Sequence, residues 1–104
     1  MIERLWHGWT TPEDAEEYER LLRERILPDA VEGIDGCRGA RLLRRDGDAE
    51  VEFVTSIRFE SFDSVTEFAG KDHDEAHVPP AARELLSRFD DRVKHYEVRE
   101  RTER

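Results

Sequence analysis

An α+β fold, a four-stranded antiparallel sheet with helices on one face, is predicted by three features of this 104-residue sequence. Two segments, Arg4–Thr10 and Glu50–Glu60, alternate in the manner of strands. Two others, Ala15–Ile26 and Phe62–Ala69, carry apolar residues at spacings of three and four. The order of segments is strand, helix, two strands joined by a tight turn, helix, strand, which is a split βαβ arrangement.

The first strand holds Leu5, His7 and Trp9 on one face, and Arg4, Trp6, Gly8 and Thr10 on the other. Each face carries an indole, so both faces are expected to be covered and the strand to lie centrally. One tryptophan should wall the core or a cavity, the other an interface. Thr11-Pro12-Glu13-Asp14 predicts a helix start. Thr11 would cap it, Pro12 suits its first position, and acidic side chains favour its positive end. Ala15, Tyr18, Leu21, Leu22 and Ile26 form the buried stripe, and Pro28 is expected to stop the helix.

Cys37–Arg45 alternates weakly and reads as the second strand, with Asp46-Gly47 as a hairpin turn. On the third strand Val51, Phe53, Thr55, Ile57 and Phe59 share a face. Ser61 is placed to cap the second helix, which buries Phe62, Val65, Phe68 and Ala69 and ends at Gly70. Lys71–Pro80 is a polar loop. Pro79-Pro80 then opens a short helix whose apolar side is Ala82, Leu85, Leu86 and Phe89. Val93–Arg99 is the last strand, and residues 100–104 are expected to fray. Right-handed crossovers put the first and third strands side by side. Residues 1–104 form one domain, and its uncovered apolar sheet face would mark an interface.

A net charge of -9 argues against nucleic-acid and anionic-membrane partners. Lysine occurs only at Lys71 and Lys94. Arginine beside so many acids suggests a GC-rich genome or a high-salt cytoplasm. Cys37 is the only cysteine, which rules out a disulfide framework within the chain and argues against a thiolate metal site. The absence of Gly-rich nucleotide motifs and cysteine clusters removes Rossmann, P-loop and iron–sulfur chemistry. No signal peptide or membrane span is visible, so a cytoplasmic location is expected.

Three segments resemble the antibiotic biosynthesis monooxygenase domain family of the dimeric α+β barrel superfamily. They are the aromatic first strand running into Thr11-Pro12-Glu13, the Gly36-Cys37-Arg38-Gly39-Ala40 opening of the second strand, and Val51-Glu52-Phe53-Val54-Thr55 leading to Phe59-Glu60-Ser61-Phe62. The resemblance spans nearly the whole chain. It implies a ferredoxin-like homodimer whose sheets pack face to face as a barrel. Each subunit would hold a small-molecule cavity between sheet and helices. Some members of the family are cofactor-free monooxygenases of polycyclic phenols or quinols. Others degrade haem with an Asn, a Trp and a His. This chain contains no asparagine, so the haem reaction is disfavoured and no cofactor is expected.

The function expected is a cofactor-independent monooxygenase acting on an aromatic or quinone-like small molecule. The alternative is a non-catalytic, small-molecule-binding or stress-related homodimer of the same fold. A phenol must lose a proton before it reacts with oxygen, and a neutral imidazole suits that step. His7 is the first candidate base, being on a rigid strand; the alternative is a packed histidine bonded to a neighbour. His73 and His77 come next. Their spacing would suit a metal on a helix, but they lie in a loop, where a lid over the cavity is the reading adopted and no metal site is assigned. Trp9, Phe53 and Tyr96 are the expected substrate-binding side chains. The cavity is expected under the first helix and His73–Pro80, walled by Trp9 and the aromatics of strand three.

Overall fold

A computed structural model describes all residues, Met1–Arg104. Its strands are β1 (Ile2–Thr10), β2 (Cys37–Asp46), β3 (Val51–Phe59), β4 (Leu86–Phe89) and β5 (Lys94–Glu97). Its helices are α1 (Ala15–Leu21), α2 (Leu27–Gly33), α3 (Phe62–Ala69) and α4 (Pro80–Leu85). The sheet runs β2-β3-β1-β4, and β5 also pairs with β1. All pairings are antiparallel, and β1 matches β3 residue for residue from Ile2↔Phe59 to Thr10↔Val51. The α+β class and the central position of β1 and β3 are therefore as the alternation predicted.

Three elements differ from expectation. The first helix does not stop at Pro28. A π-helical turn at Leu22–Ile26 joins α1 to α2, and Pro28 sits in the first turn of α2. The π turn widens the helix one turn before the proline, where the ring would otherwise meet a carbonyl. Thr11 makes no side-chain cap; Asp14 is the N-cap of α1, and its N–H donates to the Thr11 carbonyl at 3.2 Å. The predicted helix through Phe89 breaks at Leu86, and Leu86–Phe89 pairs with β1 as a strand. Four residues are too few to continue helix and sheet at once, and the free edge of β1 supplies ready hydrogen-bond partners. The Ser61 cap forms as predicted, its Oγ accepting from Ser64 N–H at 3.4 Å, and Gly70 closes α3 with φ +83°.

The final strand is split. Gly8 pairs with Phe89 and Leu5 with Lys94, so residues 90–93 bulge opposite Trp6 and His7. The loop after α3 ties this bulge down: Ala76 N–H donates to Asp91 O and Val93 N–H to Asp74 O.

The helix side of the sheet carries two apolar clusters. One joins Ile2, Ala30, Cys37, Ile57, Phe59 and Val65; the other joins Ala15, Tyr18, Leu22, Val51, Phe53 and Ala82. Along β3 they are separated by Thr55, and along β1 by Arg4 and Trp6. The two clusters do not meet at mid-strand, and the gap between them is the cavity described next.

The candidate site: an apolar cavity with one buried cation

A cavity of about 290 Å³ lies between mid-sheet and the helices. Its floor is Arg4, Trp6, Thr55 and Ile57. Tyr18, Leu22, Ile26 and Leu27 roof it, so the π-helical turn supplies part of the roof. Phe68 and Ala69 close one end, and Ala76, His77, Val78 and Pro79 border it from the loop. The wall is apolar apart from the Arg4 guanidinium, the Tyr18 and Thr55 hydroxyls and the His77 imidazole. The volume lies at the small end of the range of about 300–1,000 Å³ seen for small-molecule sites.

The cavity sits under the first helix and the His73–Pro80 segment, as expected, but its aromatic wall differs. Trp6 lines it and Trp9 does not. The register explains this. Even-numbered residues of β1 share a face with odd-numbered residues of β3, and Phe53, Ile57 and Phe59 on that face are buried beneath the helices. Leu5, His7 and Trp9 therefore point to the uncovered face. Trp6 is pinned by its indole N–H, which donates to Asp90 O at 2.7 Å across the bulge.

His7 is thus absent from the cavity. Its Nδ1 lies 2.9 Å from Glu52 Oε2, and its ring stacks 6.2 Å from that of Trp9. Trp9 is in turn covered by Arg88, whose guanidinium lies 3.8 Å from the ring centroid and pairs with Glu50. Phe53 is core, 1% exposed and edge-on to Tyr18 at 5.0 Å; Thr55 occupies the cavity-facing position two residues on. Tyr96 is on the uncovered face, half exposed. His77 does line the cavity. His73 packs nearby against Phe62 and His95, on the outer side of Arg4.

Alternation alone could not say which face of β1 the helices cover, and a leucine and a tryptophan made Leu5–Trp9 look the more buried set. The same ambiguity hides Arg4, which shares the covered face with Trp6. Its signal was a charged residue within an otherwise aromatic central strand.

Arg4 is 7% exposed. Its Nη1 donates to the His73 carbonyl at 2.7 Å and lies 2.9 Å from His95 Nε2. Phe68 lies under the guanidinium at 5.4 Å. Burial lowers the Arg4 pKa to about 10, against the opposing pull of Asp74. Burial, followed by the Arg4 charge, also lowers that of His95. Desolvation alone pushes the Tyr18 phenol up, so it stays protonated.

His73, Asp74 and His95 bring three possible metal donors within 4.8 Å of one another. His77 is not among them, so the spacing of His73 and His77 does not build a chelate. An arginine has only donors, so His95 Nε2 must accept from Arg4, and a neutral ring then carries its proton on Nδ1. That nitrogen faces Asp74 at 3.3 Å but out of line for a hydrogen bond. A cation bound there would displace this proton next to a fixed guanidinium. The donor set fits a charge-compensating chain for Arg4 better than a metal centre.

No family model matches this chain, and no curated protein matches it in sequence. Solved structures match it over almost its full length. One is a candidate antibiotic biosynthesis monooxygenase from Deinococcus radiodurans, with a TM-score of 0.69 and 14% identity, covering 99% of this chain and 97% of that one. A second such candidate, from Bacillus cereus, has a TM-score of 0.63 and 18% identity, with coverages of 99% and 96%. The haem degrader MhuD from Mycobacterium tuberculosis, solved with two haems in its active site, has a TM-score of 0.65 and 20% identity, with coverages of 99% and 100%. At these identities the likeness is one of fold. This chain has the ferredoxin-like α+β fold shared by structures of the antibiotic biosynthesis monooxygenase type.

A haem does not suit the cavity here. Its volume is small for a porphyrin, and its one imidazole is an exposed loop histidine. No helix is long and apolar enough to cross a membrane.

Proposed function

We propose that the chain is a cofactor-independent monooxygenase of an aromatic or quinone-like small molecule, working as a cytoplasmic homodimer. The observation that carries this reading is the apolar cavity between sheet and helices, sized for two or three fused rings. Trp6 would stack on the ring, while Leu22 and Ile26 exclude water from it. His77, on the loop, is the base that takes the substrate proton, with a contribution of about 10²–10⁴-fold. The carbanion then reduces oxygen. For an anthrone, the ring CH₂ becomes C=O, and its two hydrogens leave with the second oxygen atom as water. Two solved structures of this fold carry the name of monooxygenases, which supports the reaction class without naming the substrate.

The dimer would form through the uncovered face, where Leu5, Trp9, Leu43 and Val54 lie among ion pairs such as Arg45–Glu52 and Arg88–Glu50. This face carries ion pairs as well as apolar side chains, so a dimer formed there would weaken with salt more than an apolar one.

One observation favours the alternative, a binding protein without turnover. His77 makes no hydrogen bond to an orienting partner and lies outside regular structure. Oxygen uptake on a panel of naphthols and anthrones separates the two readings. Uptake that falls at least tenfold in His77→Ala supports the monooxygenase. Ligand binding with no uptake in the native protein supports the alternative.

A further inference from the structure

We infer that the cavity is selective for a flat aromatic oxyanion, a ring carboxylate or an ionised enol, seated on Arg4. The inference rests on the reading of the cavity as the ligand site and adds the charge of the ligand.

Arg4 is a buried cation with no anion in direct contact; the nearest compensating charge, Asp74, reaches it only across the His95 imidazole. No carboxylate lies within 4.0 Å of its guanidinium, since it takes part in none of the ion pairs of the chain. Both of its hydrogen bonds use Nη1, to a carbonyl and to an imidazole, and both partners are formally neutral. Nε and Nη2 make no bond within the chain, yet neither is a fully enclosed orphan. They belong to a side chain that lines the cavity, so a ligand filling that space lies beside a guanidinium with two uncommitted donors. A buried unpaired guanidinium is costly, and the cost is recovered when an oxyanion takes the two free donors in a fork.

A second observation points to the same ligand. Tyr18 is 1% exposed, lines the same cavity and makes no hydrogen bond through its hydroxyl. Because burial holds the phenol in its protonated form, it is a donor awaiting an acceptor. An apolar chamber that holds a cation and an O–H donor, with the Thr55 hydroxyl and the His77 imidazole as its other polar groups, favours an anion with a flat hydrocarbon body. Such a site rejects the neutral analogue, which leaves Arg4 enclosed and unmatched.

Calorimetric titration of the native protein tests this with two matched pairs. The first is 1-naphthoate against 1-naphthamide, the second 2-hydroxy-1,4-naphthoquinone against its 2-methoxy ether; the first member of each is ionised at pH 7. Charge-assisted hydrogen bonds predict that the anion binds about 10–100-fold more tightly than its neutral partner in at least one pair. The first pair reports a carboxylate ligand and the second an enolate. Arg4→Met should erase the preference, Arg4→Lys keep part of it, and Tyr18→Phe weaken the anion severalfold while leaving the neutral probe unchanged. Equal binding within both pairs overturns the anion site and leaves the cavity as a site for neutral rings. A preference that survives in folded Arg4→Met also overturns it. If no probe binds at millimolar concentration, the cavity reading itself fails, and the anion site with it. The native comparison decides the matter even if Arg4→Met does not fold.

Discussion

Arg4 Nη1 and His95 Nε2 lie 2.9 Å apart beneath the helices, and this contact fixes the protonation state of the histidine. The imidazole must accept from the guanidinium, so protonating it would put two cations face to face. Burial and Arg4 accordingly lower the His95 pKa below its ordinary 6.5.

The pH dependence of stability follows from that shift. The unfolded chain takes up the His95 proton near pH 6.5, the folded chain only at lower pH. Folding therefore releases a proton between those values. The contribution is complete above pH 6.5 and is lost as pH falls through the window below it. Asp74 and Glu52 are held below their ordinary 3.8 and 4.5, chiefly by hydrogen bonds from His73 and His7, so they add their loss only in more acid solution. Thermal melts should show a falling midpoint below pH 6.5 in the native protein and a flatter profile in His95→Gln. An unchanged slope in that variant would show that another group governs the window.

His7→Ala is expected to leave any cavity reaction intact. The His7–Glu52 pair is on the uncovered face with the histidine side chain 40% exposed, so its loss should cost less than about 1 kcal/mol. His77→Ala should reduce turnover and leave stability nearly unchanged. Oxygen uptake and melting temperature measured on both variants separate the two roles; loss of turnover in His7→Ala with the fold intact would place the base on the other face of the sheet.

Gly36 is a packing requirement. A Cβ there would fall 1.8 Å from Ser64 Oγ and 2.5 Å from its Cβ, both buried beside the start of β2. Gly36→Ala should therefore destabilise by about 1–3 kcal/mol, as overpacking of a closed site does. Urea unfolding measures it, and Gly36→Ala combined with Ser64→Gly should recover most of the loss.

Much of the fold was legible because it is local. Alternation set β1 and β3, Ser61 and Gly70 bounded α3, and element order gave the sheet. The continuation of the helix past Pro28 was not legible, because a π turn leaves no pattern distinct from ordinary helical spacing. Nor was the strand at Leu86–Phe89, where an open sheet edge overrode an apolar helical spacing. At the site, the place of the cavity could be read from the chain; which of His7, His73 and His77 borders it could not. The choice between Trp6 and Trp9 could not, because each face of β1 carries an indole and only tertiary packing decides which one the helices cover.

The two tryptophans provide the most direct test of the central claim, that the cavity on the helix side of the sheet is where ligands bind. Trp6 walls the cavity and Trp9 lies on the opposite face, so their indole N–H groups give two resonances that report on the two faces. Titrating the ¹⁵N-labelled protein with 1-naphthoate or 2-naphthol should shift the Trp6 indole signal, assigned by its loss in Trp6→Phe, and leave the Trp9 signal in place. A titration that moves Trp9 and leaves Trp6 unmoved would contradict the account.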